Sequence, residues 1–132
     1  MDEIQAFLPL EIISVEADLD GVSLSGDRWR LRVNTNWQVS VDGVVIMSAP
    51  SLSGGDGNAC DLEGLVGDEL LSVAVHSRQV GEDLSFQTRA GRAFEIFSDF
   101  AYGEWIFSVW AVEDESRTPI FDLEGPIVPS AQ

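Results

Sequence analysis

The sequence contains no lysine, so its seven basic residues are all arginine, and 23 acidic residues oppose them. The formal net charge of −16 creates a field that repels nucleic-acid phosphates and anionic membrane surfaces and attracts cationic molecules. The charge therefore argues against nucleic acid and membrane as partners and favours a basic protein. Two further causes of the acidity stay open: general solubility, and a composition shared by the whole proteome of the source organism.

Cysteine and histidine each occur once, which removes most catalytic and metal-binding chemistry. Cys60 alone forms no intramolecular disulfide and no zinc site, so a reducing cytoplasm is the expected compartment. His76 stands at the end of a predicted strand, and no Gly-x-Ser-x-Gly nucleophile elbow accompanies it. The oxygen donors at 18–20 and 56–61 fall in turn-forming stretches that miss the spacing of a calcium loop. We therefore predict no enzyme, no metal and no cofactor.

Long apolar runs are also missing. Stretches such as residues 44–47 are far shorter than the roughly 20 residues that cross a bilayer as a helix. The N-terminal stretch MDEIQAFL lacks the basic and apolar regions of a signal peptide. We expect a soluble cytoplasmic protein. The chain has 132 residues, 45% of them hydrophobic, which is enough for one domain with its own core, and we predict a single domain over 1–132.

Alternation of apolar and polar residues is the main periodicity, and it predicts strands. The phrase EIISVEA at 11–17 returns as ELLSVAV at 69–75. In the same order, VSL at 22–24 corresponds to LSF at 84–86, and WQVSV at 37–41 corresponds to WIFSV at 105–109. Matches in one order at slowly growing offsets are typical of a duplication with loop insertions. Chance similarity between amphipathic strands is the alternative.

These observations predict an all-β fold with minor helical turns. Two similar antiparallel β-meander halves would form a small sandwich or barrel with pseudo-twofold symmetry. The internal repeat covers approximately 8–47 and 66–115. A flexible loop rich in glycine and serine, at 48–61, joins the two halves.

The stretch RWRLRV at 28–33 places three arginines on one face of a predicted strand: Arg28, Arg30 and Arg32. The opposite face is apolar and predicts a position over the core. Two interpretations of the arginine face are open. One is a solvated face whose arginines pair with acids on neighbouring strands. The other is a binding site for a small anionic ligand.

The fourth tryptophan, Trp110, is out of phase with the apolar positions of its strand, whereas Trp29, Trp37 and Trp105 fit the core pattern. An exposed aromatic side chain surrounded by acids is a candidate anchor for a protein partner. The predicted partner-binding residues are Trp110, Glu104, Glu113, Asp114 and Glu115. A bulge that reverses the phase, or cover on both faces of the sheet, would explain the pattern without a partner.

The segment WRLRV at 29–33 with Trp37, and DLEGLVG at 61–67 leading into the second half, carry a general resemblance to a group of bacterial proteins. The chain resembles small acidic two-meander β domains, some of them immunity proteins of polymorphic toxin systems. The resemblance implies a protein-binding role without catalysis, in which a basic toxin is neutralised by occlusion. The alternatives are a domain that binds an anionic or apolar small ligand, and a structural domain in which an edge strand joins two copies.

Overall fold

The computed structural model describes residues 2–17, 21–48, 64–78, 81–98, 103–111 and 118–127. Most of the predicted connecting loop at 48–61, and the predicted partner-binding residues Glu113, Asp114 and Glu115, lie outside these ranges. Within them, one short helix, α1 (Asp2–Gln5), precedes the strands. None of the helical structure in the described ranges is long and apolar enough to cross a membrane.

The eleven strands of the described ranges follow α1 and form two antiparallel sheets. In chain order they are β1 (Leu10–Glu11), β2 (Ser14–Ala17), β3 (Val22–Gly26), β4 (Trp29–Val33), β5 (Asn36–Val41), β6 (Val44–Ser48), β7 (Glu69–Arg78), β8 (Gly81–Thr88), β9 (Arg92–Phe97), β10 (Trp105–Val109) and β11 (Phe121–Gly125). The six-stranded sheet has the order β1-β7-β8-β9-β5-β6, and the five-stranded sheet has the order β11-β10-β4-β3-β2. The described strands form two stacked sheets and not a closed barrel.

The two halves of the chain are related by a pseudo-twofold axis, and each half contributes its last two strands to the sheet that contains the meander of the other half. The first half contributes the meander β2-β3-β4 to the five-stranded sheet and the hairpin β5-β6 to the six-stranded sheet. The second half contributes the meander β7-β8-β9 to the six-stranded sheet, and β10 and β11 to the five-stranded sheet. The predicted fold class, two similar meander halves packed as a sandwich, is confirmed.

The core lies between the sheets and contains alternate residues of the central strands, among them β3, β4, β8 and β9. Its largest fully buried side chains are aromatic: Trp29, Trp105, Phe86, Phe94 and Phe107. The core positions predicted for Trp29, Trp37 and Trp105 are confirmed. Within the six-stranded sheet the ring of Trp37 stacks on that of Phe94 at 5.8 Å between centroids. These large side chains fill the space between the sheets, so the core is continuous across both halves.

A buried carboxylate joins the two sheets at one corner. Near its start β8 diverges from β9, and Glu82 instead forms a bridge with Ile127, which follows β11. The side chain of Asp83 is fully buried there. It accepts hydrogen bonds from the Ser98 N–H (2.7 Å), the Ser98 hydroxyl (2.6 Å) and the Trp105 indole N–H (3.0 Å). These donors compensate the loss of water around the carboxylate.

A second carboxylate, Asp68, anchors the start of β7 to the turn between β8 and β9. Its Oδ1 atom accepts the backbone N–H groups of Glu69 (2.8 Å) and Ala90 (3.0 Å), and its Oδ2 atom lies 3.6 Å from Nη1 of Arg92. Burial raises the pKa of Asp68, but the Thr88 hydroxyl, these two N–H groups and the Arg92 charge together outweigh burial and lower the pKa below its usual value.

Candidate functional site

The outer face of the five-stranded sheet carries an arginine at its centre and an acid at each edge. Arg32 on β4 lies opposite Ser23 on β3 and Ile106 on β10. One strand further out, Glu16 on β2 lies opposite Ser23, and Glu124 on β11 lies opposite Ile106. With strands about 4.8 Å apart, each glutamate is about 10 Å from Arg32, measured between Cα atoms. We call these five residues the charged row.

A second row runs beside the charged row. Arg30 lies between Ser25 on β3 and Ser108 on β10, and Ser108 lies opposite Asp122 on β11. The Ser108 hydroxyl donates a hydrogen bond of 2.6 Å to the Asp122 carboxylate. At the opposite edge this row ends at Ser14. Acidic charge on this face is therefore greatest along β11, where Asp122 and Glu124 are both exposed.

The alternation of RWRLRV determines which side chains of β4 face outward. Trp29, Leu31 and Val33 are buried in the core, so Arg30 and Arg32 point to the outer face, as the sequence predicts. The direct cross-strand neighbours of these arginines are three serines and Ile106, and the expected pairing with acids stays a prediction. The acids of the face lie two strands away.

The two central arginines have neighbours that orient their guanidinium groups. Arg32 donates from Nε to the Asn34 side-chain oxygen at 2.7 Å and from Nη1 to the Ser23 hydroxyl at 3.2 Å. The guanidinium carbon of Arg30 lies 5.8 Å from the centroid of the Trp110 ring, which is within the range of a cation–π interaction. Both positive charges are thus held over the middle of the sheet.

Arg28 lies apart from the other two arginines. It occupies the two-residue turn between β3 and β4 with a positive φ of 65°, so it is not one of the residues on the face of β4. Its Nε atom is 3.7 Å from the Asp27 carboxylate, and its Nη1 atom donates to the Ala111 carbonyl at 3.5 Å. The sequence groups the three arginines as one ligand site. In the structure Arg30 and Arg32 lie on the sheet and Arg28 lies at the turn, so they do not form one group.

Trp110 is only 5% exposed, so the expectation of an exposed aromatic anchor at this position is wrong. β10 ends at Val109, and the Trp110 N–H bonds the Arg28 carbonyl at 2.8 Å. The ring then lies on the outer face beside Arg30, which explains why Val109 and Trp110 are both buried. The burial of both neighbours agrees with the alternative of cover on both faces of the sheet.

Glu104 is 7% exposed and bridges strands through its backbone. Its carbonyl accepts the Asn34 N–H and its N–H bonds the Gly125 carbonyl, both at 2.8 Å. The sequence pattern does not single out the exposed acids Glu16, Asp122 and Glu124, because their common face depends on which strands become neighbours. The alternating stretch FDLEG at 121–125 is the local signal for two of them.

No protein-family model, curated protein or solved structure matches this chain. Within the ranges that the structure describes, His, Cys, Asp and Glu side chains form no group of three or more suited to a metal ion. The chemistry of the surface, and of the charged row in particular, is therefore the guide to the role of the protein.

Proposed function

We propose that the protein is a non-enzymatic protein-binding domain that recognises a basic protein through the outer face of its five-stranded sheet. The observation that carries the proposal is the order of charges along the charged row: Glu16, then Arg32, then Glu124. A partner with basic side chains about 20 Å apart, and an acceptor between them, would match all three charges at once.

Long-range attraction and local selection have separate sources in this proposal. The net charge of −16 accelerates the encounter with a cationic partner, in a manner that weakens as salt increases. Arg32 repels a basic side chain that approaches the centre of the face, so it penalises partners bound in the wrong register. Each exposed charge pair contributes only about 0.2–1 kcal/mol, so several pairs together with apolar contacts are needed for tight binding.

The proposed consequence of binding is occlusion. A domain that covers the basic surface of a toxin blocks that surface from its own target, and the resemblance to immunity proteins of polymorphic toxin systems supports this role. The same acidic face would serve any basic protein whose surface must be kept covered. The charge pattern favours a protein partner because the face is a sheet surface with charges spread over about 20 Å.

The test compares two variants of equal net charge. The face variant combines Glu16→Gln, Asp122→Asn and Glu124→Gln. The control variant combines Glu3→Gln, Glu11→Gln and Asp42→Asn, which remove three exposed acids that belong to α1, β1 and the β5–β6 turn. Each tagged protein is expressed in its source organism and purified at low and at moderate salt, and the co-purifying proteins are quantified by mass spectrometry.

We expect one basic protein to co-purify in stoichiometric amount with the wild type and the control variant, and to be reduced at least tenfold with the face variant. Its yield should fall as salt rises. Equal loss in both variants would show that net charge acts without a specific face. Absence of a stoichiometric basic protein at both salt concentrations would overturn the proposal.

A further inference from the structure

The last strand, β11, forms one end of the five-stranded sheet. It pairs with β10 in a continuous register from Phe121↔Val109 to Gly125↔Trp105. In the described ranges its other side has no hydrogen-bonded strand. Every second residue of such an edge strand directs its backbone N–H and C=O groups away from the sheet, so β11 offers a template for one more strand.

The side chains of β11 differ sharply between its two faces. Asp122 and Glu124 are exposed on the outer face. On the inner face Phe121 and Leu123 are partly buried and pack against the core. The Phe121 ring contacts Phe7 at 5.3 Å between centroids and also contacts Phe107. The core therefore reaches the edge of the sheet at β11, and an apolar side chain on an added strand would extend it.

We propose that β11 binds an extended segment of the basic partner as an additional strand, and that this segment alternates basic and apolar side chains. This inference rests on the proposed function. The basic side chains of the added segment would lie directly opposite Asp122 and Glu124, about 5 Å away between Cβ atoms. The apolar side chains of the segment would cover Phe121 and Leu123. Backbone hydrogen bonds to the edge of β11 provide the rest of the contact.

A second copy of the protein does not fit this edge. If two β11 strands pair in antiparallel fashion about Leu123, Asp122 of each copy lies opposite Glu124 of the other copy. Two pairs of like charges directly opposite each other destabilise such a dimer. The same two acids that reject a second copy attract a basic strand, so the charge on β11 selects between these two occupants.

The test uses three short synthetic peptides of matched charge. In the first, lysine and valine alternate. The second has the same composition with lysines and valines in separate blocks. The third repeats the alternating peptide with its backbone amides methylated, which preserves the charges but removes the hydrogen-bond donors. Each is titrated against the wild type, the double variant Asp122→Asn and Glu124→Gln, and the charge-matched control Glu3→Gln and Glu11→Gln.

We expect the alternating peptide to bind the wild type about tenfold more tightly than either other peptide, and to lose about tenfold in affinity with the double variant but not with the control. Hydrogen exchange of β11 amides should slow in the complex. Equal affinity for all three peptides would overturn strand addition while leaving a charge-based protein-binding role in place. Absence of binding by the alternating peptide would also overturn it. Failure of the partner itself to co-purify would instead contradict the proposed function.

Discussion

The two strands β6 and β11 occupy equivalent places in the pseudo-twofold arrangement, yet their chemistry is opposite. Each is the second strand that its half sends to the other sheet, and each lies at an end of that sheet. β6 has the sequence VVIMS and carries no charge, whereas β11 has the sequence FDLEG and alternates acids with apolar residues. Topology alone therefore does not decide what an edge strand binds.

The two edges are also protected in different ways. The register of β6 against β5 shifts between Val39 and Ser40, so Ile46 falls in a bulge. A bulge interrupts continuous pairing with another strand, which protects the apolar edge from aggregation. β11 has no register shift and is protected only by Asp122 and Glu124 among its own residues. Its backbone edge is regular and, in the part of the chain that the structure describes, pairs with no second strand.

The halves differ again at the corner where β3 and β8 begin. The position equivalent to Asp83, by the correspondence of VSL at 22–24 with LSF at 84–86, is Gly21. In the first half a Cβ atom at Gly21 would lie 2.0 Å from the carbonyl oxygen of Val33, so the backbones meet directly. In the second half the Asp83 carboxylate supplies the link. We therefore expect a different substitution to destabilise each half: loss of the carboxylate in the second half, and an added side chain at Gly21 in the first.

The largest effect is expected at Asp83. Asp83→Ala removes the acceptor of three hydrogen bonds and leaves the buried Ser98 and Trp105 donors without it, so we expect the free energy of unfolding to fall by about 3–5 kcal/mol. Asp83→Asn, which keeps the shape and one acceptor oxygen, should lose less. Urea denaturation monitored by tryptophan fluorescence measures both. Equal, small losses would show that the link between the sheets is not needed.

The matching change in the first half is Gly21→Ala. The added methyl group cannot fit against the Val33 carbonyl without moving backbone, and we expect a loss of about 2–3 kcal/mol in the free energy of unfolding. Gly64→Ala is the control, because its Cβ would meet only the Arg92 side chain at 3.9 Å. If the two alanine variants were equally stable, the result would contradict the close approach of the Gly21 and Val33 backbones at this corner.

A third difference lies where each half begins, since the position equivalent to Asp68 in the first half is Leu10. The folded-state pKa of Asp68 is lowered, so the carboxylate stabilises the protein above pH about 4, and this contribution is lost as the pH falls through the lowered value. Asp68→Asn should cost about 1–2 kcal/mol at pH 7 and should flatten the dependence of stability on pH below about 4. Denaturation midpoints measured between pH 7 and pH 2 test this. An unchanged pH profile would contradict it.

Making β11 resemble β6 tests the role of its charges. The double variant Asp122→Val and Glu124→Val removes the like charges that oppose pairing with a second copy, and we expect concentration-dependent dimers, with a gain of about 1 kcal/mol in association free energy. Analytical ultracentrifugation measures the change. Asp122→Asn with Glu124→Gln is the polar control, and it should dimerise less. A monomer at all concentrations would show that another feature protects this edge.

The smallest effect is expected on β6 itself. Val45 is 49% exposed and faces outward opposite Ser40. Val45→Thr should change the free energy of unfolding by less than about 0.5 kcal/mol, because the residue packs little and threonine also suits a strand. Thermal unfolding compares this variant with Val39→Thr, which places a hydroxyl in the core and should be clearly destabilised. Similar losses would contradict the exposed position of Val45.

The sequence predicted which face of the core strands is buried, but not which charged residues share the outer face of the five-stranded sheet, and one physical reason explains both results. Alternation is a local property, so Trp29, Leu31 and Val33 could be assigned to the core and Arg30 and Arg32 to the opposite face from the sequence alone. The phase of Trp110 was also evident from the sequence, but its contact with Arg30 of a neighbouring strand was not.

The alternation of apolar and polar residues, the repeated phrases and the composition were sufficient to predict a β fold, the buried faces of its strands, the similarity of the two halves and the acidic character of the protein. The exchange of strands between the halves appears only in the folded molecule, because pairing between distant segments depends on how both sheets bury their apolar faces together. That exchange brings Glu124 of the second half into one row with Arg32 and Glu16 of the first. No local pattern contains this row, since its members become neighbours only when β10 pairs with β4.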